Sequence, residues 1–185
     1  PLARAAYRDD NPGWAVNTAP LYRLPFVQVF SRVVTNSCIG GLQAMLDAFI
    51  AYASKRIGTT GSPTARDPDA QRAAAETANA IDEMKLILYR NFGVLRDYAE
   101  RGEQAPTELR LFYKYQCSLV AERCLDLAGK LFRSTGGHGV YDTMPLGRIY
   151  ADLITARQHV SNQSQVSARN YGAVLLGLEN PDMQV

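Results

Sequence analysis

The sequence predicts an all-α fold, an antiparallel up-and-down four-helix bundle, and three observations carry the prediction. Apolar residues recur at three- and four-residue spacing through four long segments. No segment shows the sustained alternation of a strand. The connections are short and rich in glycine, proline and capping residues, the pattern of antiparallel neighbours. At 185 residues the chain is long enough for one core and too short for two domains of ordinary size.

The first segment runs from Phe26 to about Arg56 and sets Phe26, Val29, Phe30, Val33, Val34, Leu42, Met45, Leu46, Phe49, Ile50 and Ala53 on the helical period. Its interior Gly40 and Gly41 each cost up to about 1 kcal/mol relative to alanine, so a close approach of another backbone or of a ligand is expected there, tight helix packing being the simpler of the two. Residues 58–68 read as a loop, and Asp67-Pro68 supplies an N-cap followed by proline at the first helical position. The second helix carries Ala73, Thr77, Ala80, Ile81, Met84, Leu88, Phe92 and Leu95 and stops at Gly102. The third opens at Pro106-Thr107-Glu108 and runs to about Ser134. After a glycine-rich turn over 135–144, Pro145 starts a fourth helix that the pattern carries through to about Gly172.

Composition narrows the function classes. A net charge of +2, with scattered basic residues, gives no footprint for nucleic acid or an anionic membrane. No uninterrupted apolar run approaches the roughly 20 residues of a membrane span, and no secretory signal pattern opens the chain, so a cytoplasmic protein is expected. The three cysteines, Cys38, Cys117 and Cys124, lack the spacing of zinc or redox motifs, and no metal site is expected. Cys117 and Cys124 lie about two turns apart on one helix, roughly 10 Å by helical rise and too far for a disulfide. They read as small buried side chains.

The most patterned stretch is Ser134-Thr-Gly-Gly-His-Gly-Val-Tyr-Asp-Thr-Met-Pro-Leu-Gly-Arg-Ile-Tyr-Ala-Asp152. It resembles the last helical hairpin of the acyl-CoA dehydrogenase superfamily, specifically so from Arg133 to Asn162 and more loosely over the first three helices. The catalytic glutamate of the dehydrogenases falls on Val160, which cannot act as a base, and its neighbour is His159. That departure resembles the flavin-dependent two-component monooxygenases built on the same fold.

The resemblance implies the oxygenase component of such an enzyme, which receives reduced FMN from a separate flavin reductase, with FAD as the alternative flavin and molecular oxygen as co-substrate. It implies hydroxylation of an aromatic, phenolic substrate through a C4a-hydroperoxyflavin, in a homotetramer arranged as a dimer of dimers. His159 would be the catalytic residue, because an imidazole can donate or accept a proton near neutral pH at the oxygen adduct. Arg56, Arg133, Gly136, Gly137 and Gly139 would bind the cofactor, the glycine turn reaching the flavin of an adjacent subunit. Two other readings stand beside it: a dehydrogenase-type flavoprotein with a relocated base, and a non-catalytic oligomerisation bundle.

From the residues alone, Arg148 and Asp152 read as an i, i+4 ion pair sharing a helix face with His159. The glycines read as a turn that needs positive φ, and Lys55-Arg56 as basic residues at a helix C-terminus. Leu21-Tyr-Arg-Leu-Pro25 resembles the lead-in to the helical domain of the monooxygenases. Residues 1–23 are therefore assigned to an irregular linker from a missing upstream β-domain and 24–185 to the bundle, the whole being the C-terminal domain of a protein about twice as long.

Overall fold

The computed structural model of the chain describes residues 12–58, 61–182 and 185. Five α-helices follow one another: α1 (Phe26–Ala53), α2 (Pro68–Glu100), α3 (Thr107–Arg133), α4 (Leu146–Arg157) and α5 (Ser164–Leu175). Among the described residues, two 3-10 turns lie ahead of them, Pro12–Ala15 and Pro20–Arg23, and residues 1–11 of the linker assignment fall outside the described residues. Asp67 caps α2 as its position requires, accepting hydrogen bonds from the amides of Asp69 and Ala70. Gly102 follows α2 with φ of 72°.

α1 is the central element, packed against α2, α3 and α4. Leu42, Met45 and Phe49 on α1, Met84 on α2, and Cys124, Ala128 and Leu131 on α3 form the main apolar core. A second, smaller cluster gathers Leu24, Leu95, Ala99, Ala105 and Tyr113. Gly41 explains itself: a Cβ there would stand 3.2 Å from Leu153 Cδ2, so its absence lets α4 lie close. A Cβ on Gly40 would meet nothing within 4 Å, and nothing in the fold accounts for that glycine.

The first turns of α1 invert the expected amphipathicity. Phe26, Phe30 and Val33, read as part of a core stripe, are exposed, and the face turned inward is Gln28, Ser31, Arg32 and Thr35. Hydrogen bonding explains the rotation. Gln28 Nε2 donates to the Arg110 carbonyl at 2.9 Å, and Thr35 Oγ1 donates to Asn162 Oδ1 at 3.1 Å. Arg32 Nη1 donates to the Gln28 carbonyl at 2.6 Å, whereas its Nε and Nη2 are buried without a partner, and burial pushes this guanidinium below the usual arginine pKa. By length and composition α1 would also pass for a membrane span, which the absence of a strictly uninterrupted apolar run had hidden; in this fold eleven of its residues are buried, and it is a core helix.

The fourth helix is not continuous. α4 ends at Arg157, residues 158–163 break the run with a 3-10 turn at Val160–Asn162, and α5 resumes at Ser164. His159, with ψ of 140°, sits in the break in extended conformation. The expectation that Arg148, Asp152 and His159 share one helical face is therefore corrected. Arg148 and Asp152 are both exposed, and no ion pair joins them among the described residues. The break has a local cause: Ser161, Asn162 and Ser164 are poor helix formers whose side chains compete for backbone groups.

Candidate functional site

The residues singled out from the sequence gather at two opposite ends of the bundle. At one end the C-terminus of α1 meets the glycine turn, where Tyr52 Oη donates to the Thr135 carbonyl at 3.0 Å and ties the two together. Arg56 follows one turn after Tyr52, its amide donating to the Tyr52 carbonyl, and its Nε is buried without a partner. Arg133 is exposed, makes no ion pair among the described residues, and lines with Gly136 a cleft of about 620 Å³ bounded by Asp69, Arg72, Glu76 and Lys130. The other cations of this cleft are neutralised: Lys130 pairs with Glu76 at 2.7 Å and Arg72 with Asp69 at 2.9 Å. The Lys130 hydrogen bond holds the Glu76 carboxyl below the usual glutamate range.

The three glycines have different reasons to be glycine. Gly136 has φ of 59°, the left-handed region that other residues avoid. Gly139 is buried, and a Cβ there would fall 2.2 Å from Thr135 Oγ1 and 3.1 Å from Phe132 Cε2, so packing forbids a side chain. Gly137 has neither constraint, since its φ is not positive and a Cβ would meet nothing within 4 Å. Arg133 without a counter-ion among the described residues, and open space over Gly136 and Gly137, fit an anionic, phosphate-bearing group, whereas Arg56 does not line this cleft. His138 is half-buried in the same turn, its ring 6.4 Å from Tyr52 and 5.4 Å from Tyr141 between centroids.

At the other end His159 leans on α1, its ring centroid 5.8 Å from that of Phe30, which stacks in turn on Phe26 at 5.6 Å. His159 Nδ1 accepts the Ser161 amide at 3.1 Å, so that nitrogen carries no proton in the neutral ring and Nε2 holds the N–H. Beside it Val160 is 77% exposed. Among the described residues the Nε2–H of this imidazole has no partner, and the ring lies beside Phe30 and, through it, Phe26, with the exposed Val160 next in the chain. Thr35 and Tyr52 went unnoticed in the sequence, Phe30 was read only as part of a core stripe, and Asn162 only as the end of the resemblance, while the structure sets Phe30, Thr35 and Asn162 around the break. The polar run Ser161-Asn162-Gln163-Ser164 was the available signal for the break that organises these three.

The two ends are far apart. Phe30 and Tyr52 are separated by about 33 Å of α1 at 1.5 Å per residue, more than a flavin mononucleotide can span.

Residues 34–164 match the family model described as acyl-CoA dehydrogenase, C-terminal domain. The chain is 29% identical over 178 residues to a flavin-dependent monooxygenase, oxygenase subunit HsaA, of Rhodococcus jostii (strain RHA1), covering 94% of this chain and 46% of that protein. It is 25% identical over 159 residues to an indole-3-acetate monooxygenase of Pseudomonas putida, covering 85% and 41%. The chain therefore spans about half the length of the curated relatives it matches. Among solved structures, 3-HSA hydroxylase from Rhodococcus sp. RHA1 superposes with a TM-score of 0.90 at 27% identity, over 98% of this chain and 47% of that one. Butyryl-CoA dehydrogenase from Megasphaera elsdenii superposes with 0.64 at 18% identity, over 82% and 37%, a likeness of fold.

Proposed function

This chain belongs to the acyl-CoA dehydrogenase C-terminal domain family, and from that premise we propose that it forms the helical C-terminal half of the oxygenase component of a flavin-dependent monooxygenase. The observation that carries the reading is the pairing of His159 with Val160, the imidazole lying beside the exposed rings of Phe30 and Phe26. A dehydrogenase needs a carboxylate to take an α-proton, and this place in the chain holds a valine. The higher fold similarity to a hydroxylase than to a dehydrogenase supports the same choice.

When bound, reduced flavin supplies the electrons that activate oxygen. What the chain's own residues contribute follows from their placement. His159 offers its Nε2–H as a hydrogen-bond donor beside the Phe30 ring. Phe30, stacked on Phe26 beside the imidazole, would give one apolar wall suited to the face of an aromatic, phenolic substrate. At the far end Arg133 would hold phosphate charge, and the amides around Gly136 and Gly137 would approach it closely.

Because about 33 Å separates the two ends, one flavin cannot touch both in a single chain. The proposal therefore includes an oligomer, a homotetramer built as a dimer of dimers, in which the glycine turn of one copy serves the flavin beside the histidine of another. FMN as the flavin, a separate reductase to deliver it, and a cytoplasmic setting complete the reading.

The test is turnover by the full-length oxygenase supplied with reduced FMN, ¹⁸O₂ and a panel of phenols. Hydroxylated product carrying one labelled oxygen is expected. Anaerobic reduction of the oxidised bound flavin by an acyl-CoA thioester would overturn the reading.

A further inference from the structure

The break that carries His159 is held from three sides by a single buried residue. Asn162 is fully buried; its Nδ2 donates to the Ala156 carbonyl at 2.7 Å, in the last turn of α4, and its backbone amide donates to the His159 carbonyl at 2.8 Å. Its Oδ1 accepts from Thr35 Oγ1 at 3.1 Å, and Thr35, also fully buried, accepts in turn from Cys117 Sγ at 3.4 Å on α3. Asn162 thus bonds ahead of the histidine, to the histidine itself and across to α1, the helix that also carries Phe30. These bonds close the 3-10 turn whose Ser161 amide points at His159 Nδ1. Two side chains with no contact to any exposed surface therefore fix which imidazole nitrogen bears the proton and where the ring lies.

We infer that Thr35 and Asn162 are positioning residues that hold His159 as an outward-facing Nε2–H donor against Phe30, an inference that rests on His159 being the flavin-facing group. A buried threonine hydroxyl and a buried asparagine amide are an exacting choice for this task. Every polar atom taken out of water must find a partner, so the pair specifies one geometry of the turn and penalises others.

The experiment is long-range ¹H–¹⁵N correlation NMR of the labelled chain above the imidazole titration. Its two histidines are told apart by comparison with His138→Gln. The unsubstituted chain is expected to show a single His159 tautomer with Nδ1 unprotonated, and imidazole protons shifted by the Phe30 ring. Thr35→Val, nearly isosteric, should move the tautomer ratio by about fivefold, the effect of one ordinary hydrogen bond, and shrink the ring-current shift. Thr35→Ser, which keeps the hydroxyl, should restore the original pattern.

An Nδ1–H or mixed tautomer in the unsubstituted chain overturns the inference whatever the variants do, as does a folded Thr35→Val protein with unchanged ratio and shifts. In the oxygenase, Thr35→Val should lower coupled hydroxylation with little change in KM for the aromatic substrate. If His159→Ala left coupling untouched, the functional reading would fail while the spectra still decided the positioning role.

Discussion

Alanine at position 139 should cost the bundle roughly 1 to 3 kcal/mol, and the glycine turn offers its own controls. The new Cβ would lie 2.2 Å from Thr135 Oγ1 and 3.1 and 3.4 Å from two carbons of the Phe132 ring. Thr135 is buried, and its hydroxyl donates to the Phe132 carbonyl at 2.6 Å, so moving it aside sacrifices a hydrogen bond of about 1 kcal/mol. Displacing the ring adds an overpacking penalty of about 1 to 3 kcal/mol, partly offset by about 0.4 to 1 kcal/mol from the stiffer unfolded chain. In a chain of this length each kcal/mol lowers Tm by roughly 2 to 4 °C, so a drop of roughly 2 to 12 °C is expected in calorimetry or circular dichroism. Gly136→Ala, forced into φ of 59°, should lose about 1 kcal/mol. Gly137→Ala meets nothing within 4 Å and should leave stability within about 0.5 kcal/mol of the parent. Equal stability of Gly139→Ala and the parent, or equal losses at 137 and 139, would refute the packing argument.

The same Gly137→Ala variant should weaken flavin binding in the full-length oxygenase, since its only remaining reason to be glycine is close approach of a ligand; equilibrium titration with reduced FMN under anaerobic conditions checks it. Asp67→Ala removes the acceptor for two amides at the start of α2 and should cost about 1 kcal/mol in urea unfolding. All three cysteines are buried and free, and burial raises each thiol above its ordinary pKa; an aromatic disulfide reagent at pH 8 should therefore find no fast-reacting thiol in the native chain and three after denaturation.

The helices were legible because their signals are local. Asp67-Pro68, Gly102 and Pro106 punctuate the chain where the structure begins and ends its helices, and the apolar period of α2 marks residues that the fold buries. Two features were not legible, and both depend on partners distant in sequence. The inward turn of Gln28, Arg32 and Thr35 is set by acceptors on α3 and in the break before α5, 82 residues away for Gln28 and 127 for Thr35, which no window along the chain can show. The interruption of the fourth helix was legible in principle from Ser161-Asn162-Gln163-Ser164, yet Val160 and Val166 on either side keep an apparent apolar period running. The separation of His159 from Arg56 and Arg133 by most of the length of α1 follows from bundle topology, which motif spacing does not encode.

The most direct test of the histidine in the break compares the full-length oxygenase with its His159→Ala variant, both fed reduced FMN by a reductase in the presence of ¹⁸O₂ and a phenolic substrate. The quantity measured is the ratio of labelled hydroxylated product to hydrogen peroxide. His159 is half-buried at the surface of the fold, so the variant should stay folded, while loss of a proton-handling group should lower hydroxylation by about 10² to 10⁴-fold and divert oxygen to peroxide. An unchanged ratio in a folded, flavin-binding variant would contradict the assignment of His159 and, with it, the central claim.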